Sequence, residues 1–155
     1  MYKRVLVPLD QSELAETILP HALEITRCFA AEMVLFHVSD GYAELFQKMM
    51  PAGANSTIDP DLVQATVDAQ ASAGKRYLDH VAERCRIEGF NVRPVLAQGP
   101  PARTILQYCE EQEVSLVTMC THGHSGLKRT FLGSVADEVM RESRLPVLLL
   151  RPAFD

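Results

Sequence analysis

The sequence predicts an α/β fold: a doubly wound, open five-stranded parallel sheet with helices on both faces. Three observations carry this. Short apolar, β-branched runs alternate with longer stretches of helical periodicity, in the order β-α-β-α-β-α-β-α-β. Proline and glycine clusters punctuate several of the junctions. No linker, internal repeat or charge boundary divides the 155 residues, so a single domain over 1–155 is expected.

Each element has its own signal. Residues 4–9 form the first strand candidate. Ser12 offers a helix N-cap, with Glu13 and Glu16 placed to suit the positive end of the helix dipole. Leu14, Ile18, Ala22, Ile25 and Phe29 then recur at helical spacing, while Pro20 predicts a kink or a later helix start. Residues 32–38 read as the second strand, and 42–50 as a short helix before the breaker cluster Pro51-Ala52-Gly53-Ala54-Asn55-Ser56. From 61 to 89 the helical signal is strong, with Leu62, Ala65, Ala69, Ala73, Tyr77, Val81 and Cys85 as the expected buried stripe and Gly89 as the cap. Residues 91–97 form a third strand whose Pro94 favours a sheet edge. Gly99-Pro100-Pro101 breaks the chain, and Pro101 suits the first turn of the next helix. Residues 116–119 form a fourth strand. A loop over 121–132 leads into a helix that Gly133-Ser134 opens, and 146–150 form the last strand.

Composition narrows the class. Apolar residues make up 47% and charged residues 23%, as expected of a globular chain. No apolar run approaches the roughly 20 residues a membrane span requires, and the start shows no export signal, so no membrane association and a cytoplasmic location are expected. The formal charge of −5 argues against non-specific nucleic-acid binding, which needs a basic footprint. It leaves a local anion pocket open. Cys28, Cys85, Cys109 and Cys120 lie far apart without zinc spacing. The first three are expected as buried free thiols.

In an open parallel sheet, ligands bind beyond the carboxyl ends of the strands, where the winding reverses. Two segments qualify. Pro8-Leu9-Asp10 ends the first strand with a carboxylate that either meets a ribose hydroxyl or metal, or caps the next helix. The second runs from Cys120 to Ser134. Its glycines let backbone amides approach a phosphate, and Gly133-Ser134 opens a helix whose free N–H groups favour an anion. Residues 116–135 contain no Asp or Glu, and Lys128 and Arg129 add positive charge. The segment is neither a Walker loop nor a dinucleotide fingerprint. A loop thiol at Cys120 near basic residues would also be a setting for a lowered pKa and redox sensing. His122 and His124 flank Gly123, His37 reads as core or crevice lining, and His21 and His80 as helix-surface or packing residues.

Thr121-His122-Gly123, nine further residues, Gly133-Ser134-Val135-Ala136, and then Pro146-Val147-Leu148-Leu149-Leu150-Arg151 resemble the carboxyl-terminal signature of universal stress proteins. Lys3 to Ser12 resembles that family's opening, His37-Val38 the end of its second strand, and Gly99-Pro100-Pro101-Ala102 its turn before the third helix. The resemblance implies strand order 3-2-1-4-5 and, for the family's ATP-binding branch, a nucleotide site. Residue by residue it implies Gly123, Gly133 and Ser134 around phosphates and ribose, Asp10 near the ribose and Val38 against adenine. Pro8, Leu9, Cys120, His122 and Val135 complete the expected site, with His122 structuring its loop. The first glycine of the branch's Gly-x-x-Gly motif is here Cys120, whose side chain is expected to crowd the phosphate loop.

The implied cofactor is ATP with Mg2+, and the implied partner a second copy of the chain, paired through strand Val147–Leu150 at the sheet edge. The implied role is stress-response regulation or protection. Slow ATP hydrolysis and a nucleotide-free dimeric interaction protein stay open as alternatives. No spacing identifies a catalytic base or a protein metal site.

Overall fold

The computed structural model describes residues 1–50, 58–121 and 133–151. Five parallel strands, β1 (Arg4–Pro8), β2 (Glu32–Ser39), β3 (Val92–Gln98), β4 (Leu116–Cys120) and β5 (Val147–Leu150), form one sheet in the order β3-β2-β1-β4-β5. The expected fold and strand order are therefore present. The register sets Arg4 beside Glu32 and Pro8 beside Phe36 across β1 and β2, and Val5 beside Leu116 across β1 and β4. The winding reverses at β1: β2 and β4 flank it on opposite sides.

Among the described residues six helices cover the sheet: α1 (Glu13–Glu16), α2 (Leu19–Phe29), α3 (Tyr42–Met49), α4 (Pro60–Ile87), α5 (Pro101–Glu111) and α6 (Ser134–Glu142). Strand alternation divides the core in two. Val5, Val7, Met33 and Leu35 pack with Ile18 and Ala22 and with Leu78, Val81 and Cys85 of α4 on one face. Leu6, Val34, Phe36 and Val117 pack with Ile105 and Cys109 of α5 and Val139 of α6 on the other. Central β1, β2 and β4 are nearly continuously buried, as strands covered on both faces are. No helix among the described residues is long and apolar enough to cross a membrane.

Several expectations shift in detail. Pro20 does delay a helix: α1 stops after one turn and α2 starts at Leu19, with the proline in its first turn, where its missing N–H costs nothing. The buried face of α2 is Leu19, Ala22 and Thr26, whereas Phe29 is 41% exposed and meets the Tyr2 ring edge-on. In α4 the buried stripe is Val63, Val67, Gly74, Leu78, Val81, Ala82 and Cys85; Leu62 faces solvent. Alanines at 65, 69 and 73 carried the expected stripe, but alanine satisfies either face. The β-branched Val63 and Val67 instead pack with Leu45 of α3.

Cys28 is exposed, not buried, because it lies beside Arg27 on the outer side of α2; Cys85, Cys109 and Cys120 are buried free thiols. Gly89 ends α4 with φ +87°, and Pro101 starts α5, both as expected. Pro94 does lie in an edge strand, β3. At the other edge, β5 has no fully buried residue, and Leu148 is 38% exposed.

Candidate functional site

A cleft of about 730 Å³ opens over the carboxyl ends of β1, β2 and β4, at the reversal point. Pro8, Leu9 and Asp10 come to it from β1, Val38 and Ser39 from β2, Cys120 and Thr121 from β4, and Gly133, Ser134 and Val135 from the start of α6. Eight of the ten expected site residues thus meet in one place. His122 and Gly123 lie outside the described residues, as do His124, Lys128, Arg129 and the 51–56 breaker cluster.

The floor on the β1–β2 side is built by internal hydrogen bonds. The Leu9 N–H donates to the Phe36 carbonyl (2.8 Å), extending the strand pairing into the loop. His37 is buried, with Nδ1 2.7 Å from the Leu9 carbonyl and Nε2 3.0 Å from the Gln11 amide nitrogen. A carbonyl only accepts, so Nδ1 carries the proton, and in the neutral ring Nε2 accepts from Gln11. Gln11 reaches it from a left-handed backbone conformation, φ 69°, that few non-glycine residues adopt. Asp10 Oδ1 accepts from the Ser12 N–H (3.1 Å) and hydroxyl (2.5 Å), while Ser12 Oγ accepts from the Ala15 N–H (3.0 Å). Asp10 therefore does not cap α1 itself. It orients the residue that does.

Helix α4 roofs this side. It crosses His37 at Gly74, where a Cβ would fall 2.6 Å from His37 Cδ2 and 3.1 Å from Leu96 Cδ1. Only glycine allows so close an approach at that position. Gln70 and Ala73 of α4 line the cleft, as do Asp40 and Lys48 at its mouth, where Lys48 Nζ lies 2.6 Å from Asp40 Oδ1.

The opposite side is made of backbone donors. The Gly133 N–H donates to the Thr121 carbonyl (2.7 Å), pinning the start of α6 to the end of β4. Gly133 is the N-cap and Ser134 the first helical residue. Gly133 has no side chain to satisfy the first turn, and the first bond within the helix is from the Asp137 N–H to the Gly133 carbonyl. The N–H groups of Ser134, Val135 and Ala136 have no acceptor inside the helix, and they carry the positive end of its dipole at the cleft.

Cys120 lies at the end of β4, not in a loop. Its thiol donates to the Leu14 carbonyl (3.2 Å) and sits 3.2 Å from Thr17 Oγ1, so it is engaged with α1. Burial pushes its pKa up, against smaller opposing effects of the Thr17 and Ile18 contacts. This overturns the activated-thiol expectation: a buried, neutral thiol is a poor nucleophile.

Gln11, Ser39, Lys48 and Gln70 were not among the expected site residues. Three of them belong to α3, α4 and the end of β2, segments whose approach to the cleft depends on tertiary packing. The one available signal was Gly74, a glycine in a helix interior, which marks a close approach.

Among the described residues no group of three or more His, Cys, Asp or Glu side chains is placed to hold a metal ion.

Comparison with known proteins agrees with this architecture. The family model for the universal stress protein family matches residues 1–151. Universal stress protein MJ0577 of Methanocaldococcus jannaschii is 29% identical over 97% of this chain and 96% of its own length. Universal stress protein YxiE of Bacillus subtilis is 27% identical over 97% of this chain and all of its own. The solved structure of MJ0577 superposes with a TM-score of 0.83 at 27% identity, covering 100% of this chain and 99% of that one. Two further structures share the fold at lower identity. A universal stress protein solved in complex with cAMP has a TM-score of 0.66 at 18% identity, covering 98% of each chain. The universal stress protein of Archaeoglobus fulgidus in complex with dAMP has a TM-score of 0.65 at 20% identity, covering 97% of this chain and 98% of that one. Matched by the family model over nearly its whole length, and with the family's strand order in its sheet, this chain belongs to the universal stress protein family.

Proposed function

We propose that the protein binds an adenine nucleotide, ATP, in this cleft and that the bound state serves stress-response regulation or protection. The observation that carries the reading is the pairing of two unlike walls. The first turn of α6 offers backbone donors to an anion. Opposite it, Val38 and Asp10 offer an apolar surface and a carboxylate suited to a base and a ribose. The two family members solved with cAMP and dAMP support the ligand class, as complexes of those proteins. Gly133, Ser134 and Val135 hold the phosphates, together with Gly123 by resemblance, while His122 structures its loop. Mg2+ enters with the phosphates as their counterion, since Mg2+ keeps most of its waters and is commonly held through substrate phosphates. Titration calorimetry with ATP and magnesium tests the reading. Binding below millimolar concentration is expected, with ATP or ADP found by mass spectrometry in gently purified protein; no heat and no bound nucleotide would overturn it.

The same reading includes a homodimer through β5. That strand is four residues long, only partly buried, and at the sheet edge, where unpaired backbone groups invite another strand. Pairing with its own copy about a two-fold axis satisfies both rows and covers Leu148. Light scattering is expected to give twice 17.2 kDa for the wild type and a lower mass for Leu149→Pro. A monomeric wild type at micromolar concentration refutes the dimer.

A further inference from the structure

The cleft contains a second polar feature that the phosphate wall does not use. Ser39, the last residue of β2, is 5% exposed, lines the cleft, and its hydroxyl has no hydrogen-bond partner among the described residues. Its backbone is satisfied elsewhere: the Ser39 carbonyl accepts from the Gly99 N–H (3.1 Å). Only the side chain is left over. A buried hydroxyl without a partner is destabilising, so such an atom calls for an explanation.

The position of that hydroxyl follows from the register of β2 under α4. His37 and Ser39 are two residues apart on one strand and share a face, the face α4 covers. His37 lies directly under Gly74. From His37 to Ser39 the strand advances about 6.6 Å. Helix α4 leads into β3 and runs against the strand direction, so the same advance moves four residues back along it, about 6 Å, from Gly74 to Gln70. Gln70 thus stands over Ser39. Its amide also lines the cleft and has no partner among the described residues. Both residues line the cleft, and the Ser39 hydroxyl makes no hydrogen bond to the Gln70 amide.

We propose that Ser39 and Gln70 form a recognition slot for the hydrogen-bonding edge of the ligand's base. The inference rests on the nucleotide reading above and adds to it the residues that grip the base. A primary amide presents a donor and an acceptor side by side, and a hydroxyl serves as either. That set matches an adenine edge, where an exocyclic amino donor lies next to a ring-nitrogen acceptor. The location agrees. The phosphate donors lie on the β4 side and the slot on the β2 side, with β1 between them, so the two ends are about 10 Å apart across the sheet. A nucleotide anchored by its phosphates at α6 directs its base toward β2.

The test compares a ligand that has a base with one that has none. Affinities for Mg-ATP and for inorganic tripolyphosphate are measured by calorimetry on wild type, Ser39→Ala and Gln70→Ala. Each variant is expected to lose about tenfold for ATP and less than twofold for tripolyphosphate. Ser39→Ala supplies a second readout in the ligand-free protein. Removing an unpaired buried hydroxyl should leave Tm unchanged or raise it, whereas a structural serine would lower it. A lower Tm with unchanged ATP affinity, or ATP affinity within twofold of wild type in both variants, overturns the slot while leaving the nucleotide reading intact; a water filling the gap would give that result. A wild type that binds no ATP overturns both.

Discussion

The two walls of the cleft satisfy their polar groups in opposite ways. On the β1–β2–α4 side nearly every group is paired within the protein: His37 with Leu9 and Gln11, Asp10 with Ser12, Ser12 with Ala15. On the β4–α6 side the first turn of α6 keeps its N–H groups for something else. A wall with its bonds already made provides shape and holds it. A wall with open donors provides attraction. Ser39 and Gln70 are the exceptions among the cleft-lining side chains of the first wall, without partners among the described residues.

The contrast is most easily broken at the open wall. Gly133→Val places a β-branched side chain where phosphate must approach the N-cap. ATP affinity is expected to fall by more than 100-fold with little change in Tm, measured by calorimetry and thermal melts. Retained affinity would show that the first turn of α6 does not carry the anion.

At the paired wall the same kind of change should act on stability instead. Gly74→Ala drives a Cβ to 2.6 Å from a His37 ring held by two hydrogen bonds, so the ring cannot retreat freely. Overpacking of this kind costs about 1–3 kcal/mol, against about 1 kcal/mol that alanine returns in a helix interior. A net loss of up to about 2 kcal/mol in urea unfolding is expected. In a His37→Ala background the closest clash is gone and only Leu96 Cδ1 at 3.1 Å remains, so Gly74→Ala should cost clearly less than in the wild type. The same loss in both backgrounds would place the strain elsewhere.

Alkaline pH probes the core that supports the open wall. Burial pushes the Cys109 thiol on α5 from 9.0 up to about 11. The folded state favours the neutral thiol, so this contribution is complete below pH 9 and is lost as pH rises from 9 to 11. About 3 kcal/mol is at stake. Cys109→Ala should therefore show a shallower loss of stability between pH 9 and 11 than the wild type. Parallel slopes would refute the assignment.

The smallest effect is expected where the walls meet. The Cys120 thiol is engaged with Leu14 and Thr17, so removing it opens little room at the phosphate side. Cys120→Gly should lower stability by about 1 kcal/mol and change ATP affinity less than twofold. A fivefold tightening would restore the view that Cys120 crowds the ligand. With dithionitrobenzoate at pH 8, Cys28 alone should react rapidly, since the other three thiols are buried.

Alternation of apolar runs with helical stretches was enough to read five strands and the helices between them, because period 2 and period 3.6 differ over a few residues. Gly89, Pro101 and Gly133 marked their boundaries through backbone restrictions that act locally. The acid-free stretch and the glycine–serine helix start likewise showed in the sequence where an anion would go, since a helix end needs no distant partner to be electropositive. The face of α4 did not show. Ala65, Ala69 and Ala73 fit either side, and Val63 and Val67 were drawn inward by Leu45 of α3, nearly twenty residues away. Cys120 read as a loop residue because a thiol's setting depends on what packs over it, here α1. The placing of Gln70 beside Ser39 on the proposed base side of the cleft lay furthest from view. It follows from Gly74 letting α4 settle onto His37, and that contact fixes which helix residue stands over the end of β2. Local backbone chemistry determined the elements and the electropositive helix start at one end of the cleft; packing between elements decided its opposite end.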